Sequence, residues 1–513
     1  MTTLVPENHT GNSIRLFWHP YRYFPYEREL GLKEIEHLLQ PQRISPQEDC
    51  VEIIKSGVDE RRLERLVYFS AFQTNGIKHP TYQHLLERED TGDVRRQGTR
   101  YSVHGLHEYK GKFNPQVVRG ILNLLGVSDG DKILDPFCGS GTTLVECSHV
   151  DLPSIGCDTN PFAIFVASAK LDALATPAKS LRQVSDQIID SLSRRRLSHP
   201  DQPASSERSE YLSKWFTPEM FDVIENVRNV IQEEAGHLSN IYLALVSNLL
   251  RDYSLQDPAD LRIRRRRTPL PNKPLLVAVK EAFEGLLLKL EKTQRVTGLR
   301  PRTGFAYPCD VRELDCHSRS WKILPPFDAA ITSPPYATAL PYIDTQRFSL
   351  TWLELCQPSD LAMRDAQLIG SREFYRQEKN LWIQTMEHNQ GNLPKEVLLV
   401  CRKLQAALTN SDGFRRQVVP ILLYRYFSDM QRAFVSISRV MKKGARFALI
   451  VGQNHTVLGG RRFDIDTPDL LARLAQSIGW TLETQTKLQT YQRYGVHCGN
   501  AIDCETLLVL RNS

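Results

Sequence analysis

Short apolar runs that stop at turn residues alternate along this chain with stretches whose apolar residues recur at helical spacing. That alternation predicts strands joined by helices. Within His107–Leu125 (HEYKGKFNPQVVRGILNLL), Val117, Val118, Ile121, Leu124 and Leu125 fall on one side of a helix. Ile133-Leu134 then stops at Asp135-Pro136, and after Cys138-Gly139-Ser140-Gly141 a segment of helix formers opens at Thr142, so a strand, a tight turn and a helix are expected. Further strand-like pieces close at Asp158 (SIGCDTNPFA), at Asp310 (FAYPCD) and at Ser-Pro-Pro-Tyr (FDAAITSPPY, Phe327–Tyr336). A helix with Met430, Ala433, Phe434, Ile437, Val440 and Met441 on one side and the strand in KKGARFALIVGQN follow. Ala501–Arg511 alternates as a last strand, expected at the sheet's edge. The repeated order predicts an α/β fold with a doubly wound sheet.

Two stretches interrupt this pattern. Residues 176–300 are dominated by helical periodicity (FTPEMFDVIENVRNVI, IYLALVSNLLRDY, LLVAVKEAFEGLLLKLEK) and carry two basic runs, Arg194–Arg196 and DLRIRRRRTP. Residues 357–417 are a smaller insertion, polar and mixed. The sheet domain is therefore expected in three pieces, 101–175, 301–356 and 418–513, after an N-terminal accessory region over 1–100. In that region the aromatic run LFWHPYRYFPYEREL, with His19, Arg22 and Arg28 interleaved, could stack on bases but more simply packs an arm onto a core. Asp90–Arg100 reads as a polar, basic linker.

Composition narrows the class. A chain of 513 residues exceeds one ordinary core, and 41% hydrophobic with 24% charged residues is that of a globular protein. The net charge of +6 weakly favours a polyanionic partner. No apolar run approaches a membrane span, no signal pattern opens the chain, and ten cysteines without a CxxC pair support neither zinc nor disulfides. A cytoplasmic protein without a metal, nucleoid-associated when on DNA, is expected.

Candidate chemistry sits at two strand ends. Glycines at 139 and 141 let backbone N–H groups approach a ligand at a helix N-terminus. A phosphate-binding loop would need Lys before Thr142 or Thr143, and a dinucleotide fingerprint would need a third Gly or Ala where Leu144 stands. Asp158 lies at the position from which a carboxylate reaches ribose hydroxyls. In Ser333-Pro334-Pro335-Tyr336 two prolines remove N–H donors and leave rigid carbonyl acceptors beside a hydroxyl and an aromatic face, which suits an exocyclic amine on a flat ring.

Together these residues resemble the amino-methyltransferase group of S-adenosylmethionine-dependent DNA methyltransferases: DPFCGSGTT looks like the cofactor loop, SPPY like the catalytic tetrapeptide and HEYKGKFNPQVVR like the segment closing over the methionine end. The resemblance covers roughly 107–170, 305–355, 420–455 and the final strand. It implies a Rossmann-like methyltransferase sheet in which Asp135, Phe137, Gly139, Gly141 and Thr142 line the cofactor site. Lys112 and Phe113 would lie near the methionine moiety, Asp158 would take the ribose hydroxyls, Asp310 would neighbour the adenine amine, and Ser333, Pro334, Pro335 and Tyr336 would hold the target base. A serine-headed tetrapeptide is associated chiefly with cytosine N4 and an aspartate-headed one with adenine N6.

The implied substrate is duplex DNA, with cognate restriction or defence proteins as possible partners. The insertion at 176–300, with Arg262, Arg264, Arg265, Arg266 and Arg267, is the candidate DNA-binding region, although it interrupts the motifs where the commonest layouts have none. Methylation of adenine N6, an RNA base-amine methyltransferase and a catalytically idle DNA-binding subunit stay open as alternatives. Cytosine C5 chemistry is disfavoured because Pro308-Cys309 sits one strand early. A zinc deaminase lacks its metal-ligand signature here. Oligomeric state is left open.

Overall fold

The computed structural model describes residues 12–55, 57, 59–87, 97–195, 206–258, 264–337, 342–374, 376–489 and 504–513. Five antiparallel strands come first: β1 (Asn12–Trp18), β2 (Arg43–Pro46), β3 (Cys50–Lys55), β4 (Phe69–Thr74) and β5 (Ile77–Pro80), in the order β2-β3-β1-β4-β5. The aromatic run is spent on this unit's own packing. Tyr21, Tyr23 and Tyr26 are buried, the Tyr23 hydroxyl donates to the Tyr68 carbonyl at 2.6 Å, and Trp18 stacks on Phe69. Residues 90–96 of the expected linker lie outside the described residues.

The central sheet holds β6 (Ile133–Asp135), β7 (Ser154–Asp158), β8 (Gly304–Pro308), β9 (Phe327–Thr332), β10 (Met441–Gly452), β13 (Trp480–Gln489) and β14 (Cys504–Asn512), ordered β13-β14-β10-β9-β6-β7-β8. Between β10 and β13 a separate hairpin is made by β11 (Asn454–Leu458) and β12 (Arg461–Ile465). Only β14 runs against its neighbours. The chain builds outward from β6 to β8, returns to the other side of β6 with β9, and so creates a switch point past the carboxyl ends of β6 and β9, where α/β sheets bind ligands.

The final strand is not the edge. β13 is, and β14 lies inside it. The reason is visible in Leu507-Leu508-Val509-Leu510, where successive side chains go to opposite faces and all four are buried, as an internal strand requires. β13 (WTLETQTKLQ) is too polar to announce itself.

Alternating residues divide between two cores. Leu134, Ala330, Phe447, Leu449, Leu508 and Leu510 pack with the helix Val419–Val440 on one face. Ile133, Ala329, Ile331, Ala448, Ile450, Leu507 and Val509 pack on the other with the helix Pro115–Leu124 and the N-terminal sheet. Between residues 176 and 300, the helices Ala178–Arg194, Pro218–Ala235, Ser239–Ser247 and Leu275–Thr297 share a core of their own, joined to the sheet domain through Ala169, Ala173, Phe348 and Trp352. Residues 357–417 contribute Met386, Leu393, Val397, Cys401 and Leu404 to the same core as Val419–Val440. Among the described residues no helix is long and apolar enough to cross a membrane.

Behind the sheet a buried ionic cluster ties the segment before Pro115 to the helix Thr142–His149. Glu146 accepts from Tyr101 Oη (2.9 Å), His104 Nε2 (2.6 Å) and Arg119 Nε (2.7 Å), while Arg119 Nη2 also reaches His149 Nδ1 at 3.0 Å. Burial alone would raise the Glu146 pKa, but Arg119 and the two imidazoles outweigh it and hold the carboxyl well below its usual range. His104, Glu146 and His149 come close enough to hold a cation, yet Arg119 already supplies that charge.

Arg119→Ala leaves the Glu146 carboxylate buried without its cation, and we expect a loss of about 3–5 kcal/mol in urea unfolding. Burial also lowers the pKa of His104 and His149 in the folded protein. The unfolded chain therefore takes up more protons, so their contribution is complete above the ordinary imidazole value of ~6.5 and is lost as the pH falls below it.

Candidate functional site

The loop after β6 is shaped by the absence of side chains. Gly141 has φ +76° and opens the helix Thr142–His149; a Cβ on it would lie 2.8 Å from that of Ala167. A Cβ on Gly156 in β7 would meet that of Cys138 at 2.7 Å. Cys138 N–H donates to the Cys157 carbonyl at 2.9 Å, and the fully buried Lys170 donates from Nζ to the Ser140 carbonyl at 2.8 Å. Asp158, at the end of β7, accepts from the Gly139 N–H at 3.0 Å and the Asn160 N–H at 2.9 Å. Burial pushes its pKa up to about 6, against the pull of those backbone donors.

The end of β9 is bolted to the end of β6. Thr332 Oγ1 donates to Asp135 Oδ1 at 2.7 Å, and Asp135 also accepts from the Phe137 N–H at 3.2 Å. Ser333 Oγ donates to the Ile450 carbonyl at 3.3 Å. The Tyr336 hydroxyl donates to Glu505 of β14 at 2.7 Å, and burial followed by that carboxylate raises its pKa far above the phenol range. Gly370 presses on the same tetrapeptide, since a Cβ there would stand 2.7 Å from the Tyr336 carbonyl oxygen.

Both loops open onto one cleft of about 700 Å³, its mouth included. Phe137, Gly139, Asp158, Asp310, Ser333 and Pro335 line it. Asp135, Gly141 and Thr142 are buried but do not line it, and Pro334 and Tyr336 flank the lining residues of the tetrapeptide. Lys112 and Phe113 are set back as well. Lys112 Nζ donates to the Thr99 and His104 carbonyls at 3.0 Å, with its pKa lowered to about 8 by burial, and Phe113 packs against the core between the two sheets. Asp310 is gripped by Arg312, which also bonds Asp429 at 2.8 Å; these bonds outweigh burial and lower the Asp310 pKa.

Sequence pattern alone does not single out Tyr109, Asn160, Tyr342 or Gln367–Ile369, all of which line the cleft. Asn160 had a signal: it precedes Pro161, and its side chain caps the helix Pro161–Ala175 by accepting from the Phe162 N–H at 3.0 Å. Gln367–Ile369 had none except the following glycine.

The basic run folds back as a short bridge, with Arg266 N–H donating to the Leu255 carbonyl at 2.9 Å. Arg264, Arg265 and Arg267 are exposed, and Arg262 lies outside the described residues. Two side chains have work within the fold. Arg265 lies over the Trp215 ring and donates to the Lys214 carbonyl, and Arg266 donates to the Asp252 and Ser254 carbonyls. Trp215 in turn packs edge-on against Phe348 at 5.7 Å. Phe348 sits in the helix Tyr342–Trp352, roughly two helical turns after Tyr342, which lines the cleft. In the other run Arg194 pairs with Asp190 and Arg195 with Glu233; Arg196 is outside the described residues.

A sheet of this order, with a glycine loop after its first central strand and a shared cleft beyond the switch point, is a Rossmann-like methyltransferase fold. A family model described as DNA methylase, of the N6/N4 methyltransferase type, matches residues 35–168. The chain is 24% identical to the type II methyltransferase M.BsoBI of Geobacillus stearothermophilus over 78% of its own length and 83% of that enzyme's. It is 24% identical to M.MvaI of Kocuria varians over 50% of its length and 59% of that enzyme. A shorter match, 52% identical over 69 residues, is to M.MjaII of Methanocaldococcus jannaschii and spans 14% of this chain and 13% of that enzyme. Together the family model and these relatives support an amino-methyltransferase family.

Asp158 offers a pH test. Its carboxyl is ionised only above about 6, and a carboxylate is the stronger acceptor for ligand hydroxyls. S-adenosylmethionine affinity measured by calorimetry is therefore expected to fall as the pH drops below that value and to level off at the affinity of the neutral side chain. Asp158→Asn should be weak and flat across the range, which separates this titration from that of Asp135, also pushed up to about 6 by burial. A pH-independent wild-type affinity would remove Asp158 from the site.

Proposed function

We propose that this protein transfers a methyl group from S-adenosylmethionine to the exocyclic N4 amine of cytosine in duplex DNA, in a restriction-modification or phage-defence setting. The observation that carries the reading is that Ser333 and Pro335 face the same cleft as Phe137 and Gly139. Asp158, which lines the cleft, is a carboxylate acceptor at its wall. Bound S-adenosylmethionine supplies an electrophilic methyl group.

The chain's own residues do the rest by orientation. Pro334 and Pro335 carry no N–H, so the strand end presents carbonyl oxygens that accept from the two amine hydrogens. Accepting from both hydrogens draws electron density back from the ring onto nitrogen and turns a poor nucleophile towards the methyl carbon. The Thr332–Asp135 bond holds those carbonyls at a set distance from the glycine loop, and the Glu505 bond keeps the Tyr336 ring from turning away. A paired base cannot reach such a site, so it is flipped out of the duplex. Serine at 333 favours cytosine N4 over adenine N6.

Sequencing modified bases in a host that expresses the protein tests this directly. N4-methylcytosine at one recurring site is expected; N6-methyladenine would change the target base, and label confined to tRNA would overturn the DNA reading. Ser333→Ala and Tyr336→Ala should cut turnover far more than cofactor binding, and equal losses would count against the tetrapeptide. For the interface, Arg267→Ala should weaken duplex binding and reduce the slope of log affinity against log salt by about 1, the signature of one lost phosphate contact. An unchanged slope would take that residue off the DNA.

A further inference from the structure

β9 and β10 leave the sheet side by side. Leu449 is level with Thr332, the Ser333 hydroxyl reaches the Ile450 carbonyl at 3.3 Å, and further on Asn454 Nδ2 donates to the Ala337 carbonyl at 2.6 Å. The hairpin of β11 and β12 therefore starts against the residue that follows the catalytic tetrapeptide. Only one face of this ribbon is spent on packing. Leu458 and Ile465 are buried in the core beside the helix Val419–Val440, and Phe463 packs on that core. Val457 pairs across the ribbon with Arg462, and His455 with Asp464, which puts all four on the other face. There Val457 is 38% exposed, and Arg462 and Asp464 pair with each other in solvent at 2.8 Å.

The second insertion holds the turn of the hairpin. Gly459 N–H donates to Asp412 Oδ2 at 2.9 Å, and the same oxygen accepts from the Thr409 N–H at 2.9 Å. A Cβ on Gly459 would stand 2.7 Å from the Ala407 carbonyl oxygen, so the turn lies directly against the end of the helix Lys395–Ala406. Just past it Arg461 is exposed, and among the described residues its side chain has no ion-pair or hydrogen-bond partner. Within β12 two arginines stand against one aspartate, the sign that a phosphate backbone attracts. From Asn454 to Gly459 the ribbon runs roughly 17 Å, which exceeds the ~12 Å width of a duplex major groove, and that groove admits a two-stranded ribbon.

We propose that this hairpin is a DNA-contacting element. Its outer face enters the major groove next to the flipped base, with Val457 against the base edges and Arg461 on a backbone phosphate, and residues 357–417 brace it from behind. This rests on reading the substrate as duplex DNA. It adds a contact surface separate from the basic bridge at 264–267 and anchored to the end of the catalytic tetrapeptide.

Binding of the full chain to a short labelled duplex of arbitrary sequence, measured over a range of salt concentrations, tests it without knowledge of the recognition site, because phosphate contacts do not depend on sequence. Arg461→Ala is expected to reduce the slope of log affinity against log salt by about 1. Val457→Glu sets a carboxylate on the outer face and is expected to weaken binding about tenfold at low salt. Leu324→Glu makes the same change of charge at an exposed position before the amino end of β9, across the sheet from the tetrapeptide, and should bind as the wild type does. Given a wild type that binds the duplex, an unchanged slope in Arg461→Ala, or a loss in Val457→Glu no larger than that in Leu324→Glu, rejects the hairpin's role and leaves the DNA reading standing. Should Val457→Glu lower the midpoint of urea unfolding, Arg461→Ala alone decides. A wild-type chain that binds tRNA and not the duplex rejects the DNA reading, and the hairpin's role with it.

Discussion

One hydrogen bond, from the Thr332 hydroxyl to the Asp135 carboxylate, joins two loops that lie far apart in sequence. β6 and β9 are neighbours in the sheet, but their carboxyl ends could splay into solvent in any number of ways. With Asp135 engaged by both Thr332 and the Phe137 backbone, the glycine loop and the Ser-Pro-Pro-Tyr segment leave the sheet from a common point. Asp135 and Thr332 are both almost fully buried, so water does not compete for the bond. Removing the Asp135 carboxylate would leave the Thr332 hydroxyl without this acceptor in the core, at a cost in stability.

The close approaches around it are of the same kind. Gly141 lies against Ala167, Gly156 against Cys138 and Gly370 against the Tyr336 carbonyl, each too near for a side chain. The cleft is a space kept open by tight contacts immediately behind it. The residues that do not line it, Asp135, Gly141, Thr142, Pro334 and Tyr336, form the frame on which Phe137, Gly139, Ser333 and Pro335 are mounted.

Legibility from sequence followed how local each cause is. Strand ends at Asp135 and Asp158 are readable, and those at Pro308 and Thr332 to within two residues of Asp310 and Ser333, because apolar runs stop at turn residues within a few positions. The place of β14 was misread because strand order depends on β13, whose polar sequence gives no period of its own. Tyr342 and Gln367–Ile369 reach the cleft through the path of the chain in space, which no periodic pattern announces. The arginine run shows the limit in another way. Density of charge was plain, but that Arg265 and Arg266 spend hydrogen bonds on backbone carbonyls could be learned only from the folded bridge.

The shared core beneath the N-terminal sheet has a consequence for the order in which the chain can fold. Ile14, Leu16, Val51, Phe69 and Phe72 belong to the same apolar cluster as Ala448, Ile450, Leu507 and Val509. During synthesis the first group leaves the ribosome hundreds of residues before the second, so part of the apolar face of the nascent N-terminal unit waits for the strands that carry Ala448 and Val509. Its final docking must wait for the last strand, and a polypeptide that terminates early keeps that face exposed to chaperones and to other nascent chains.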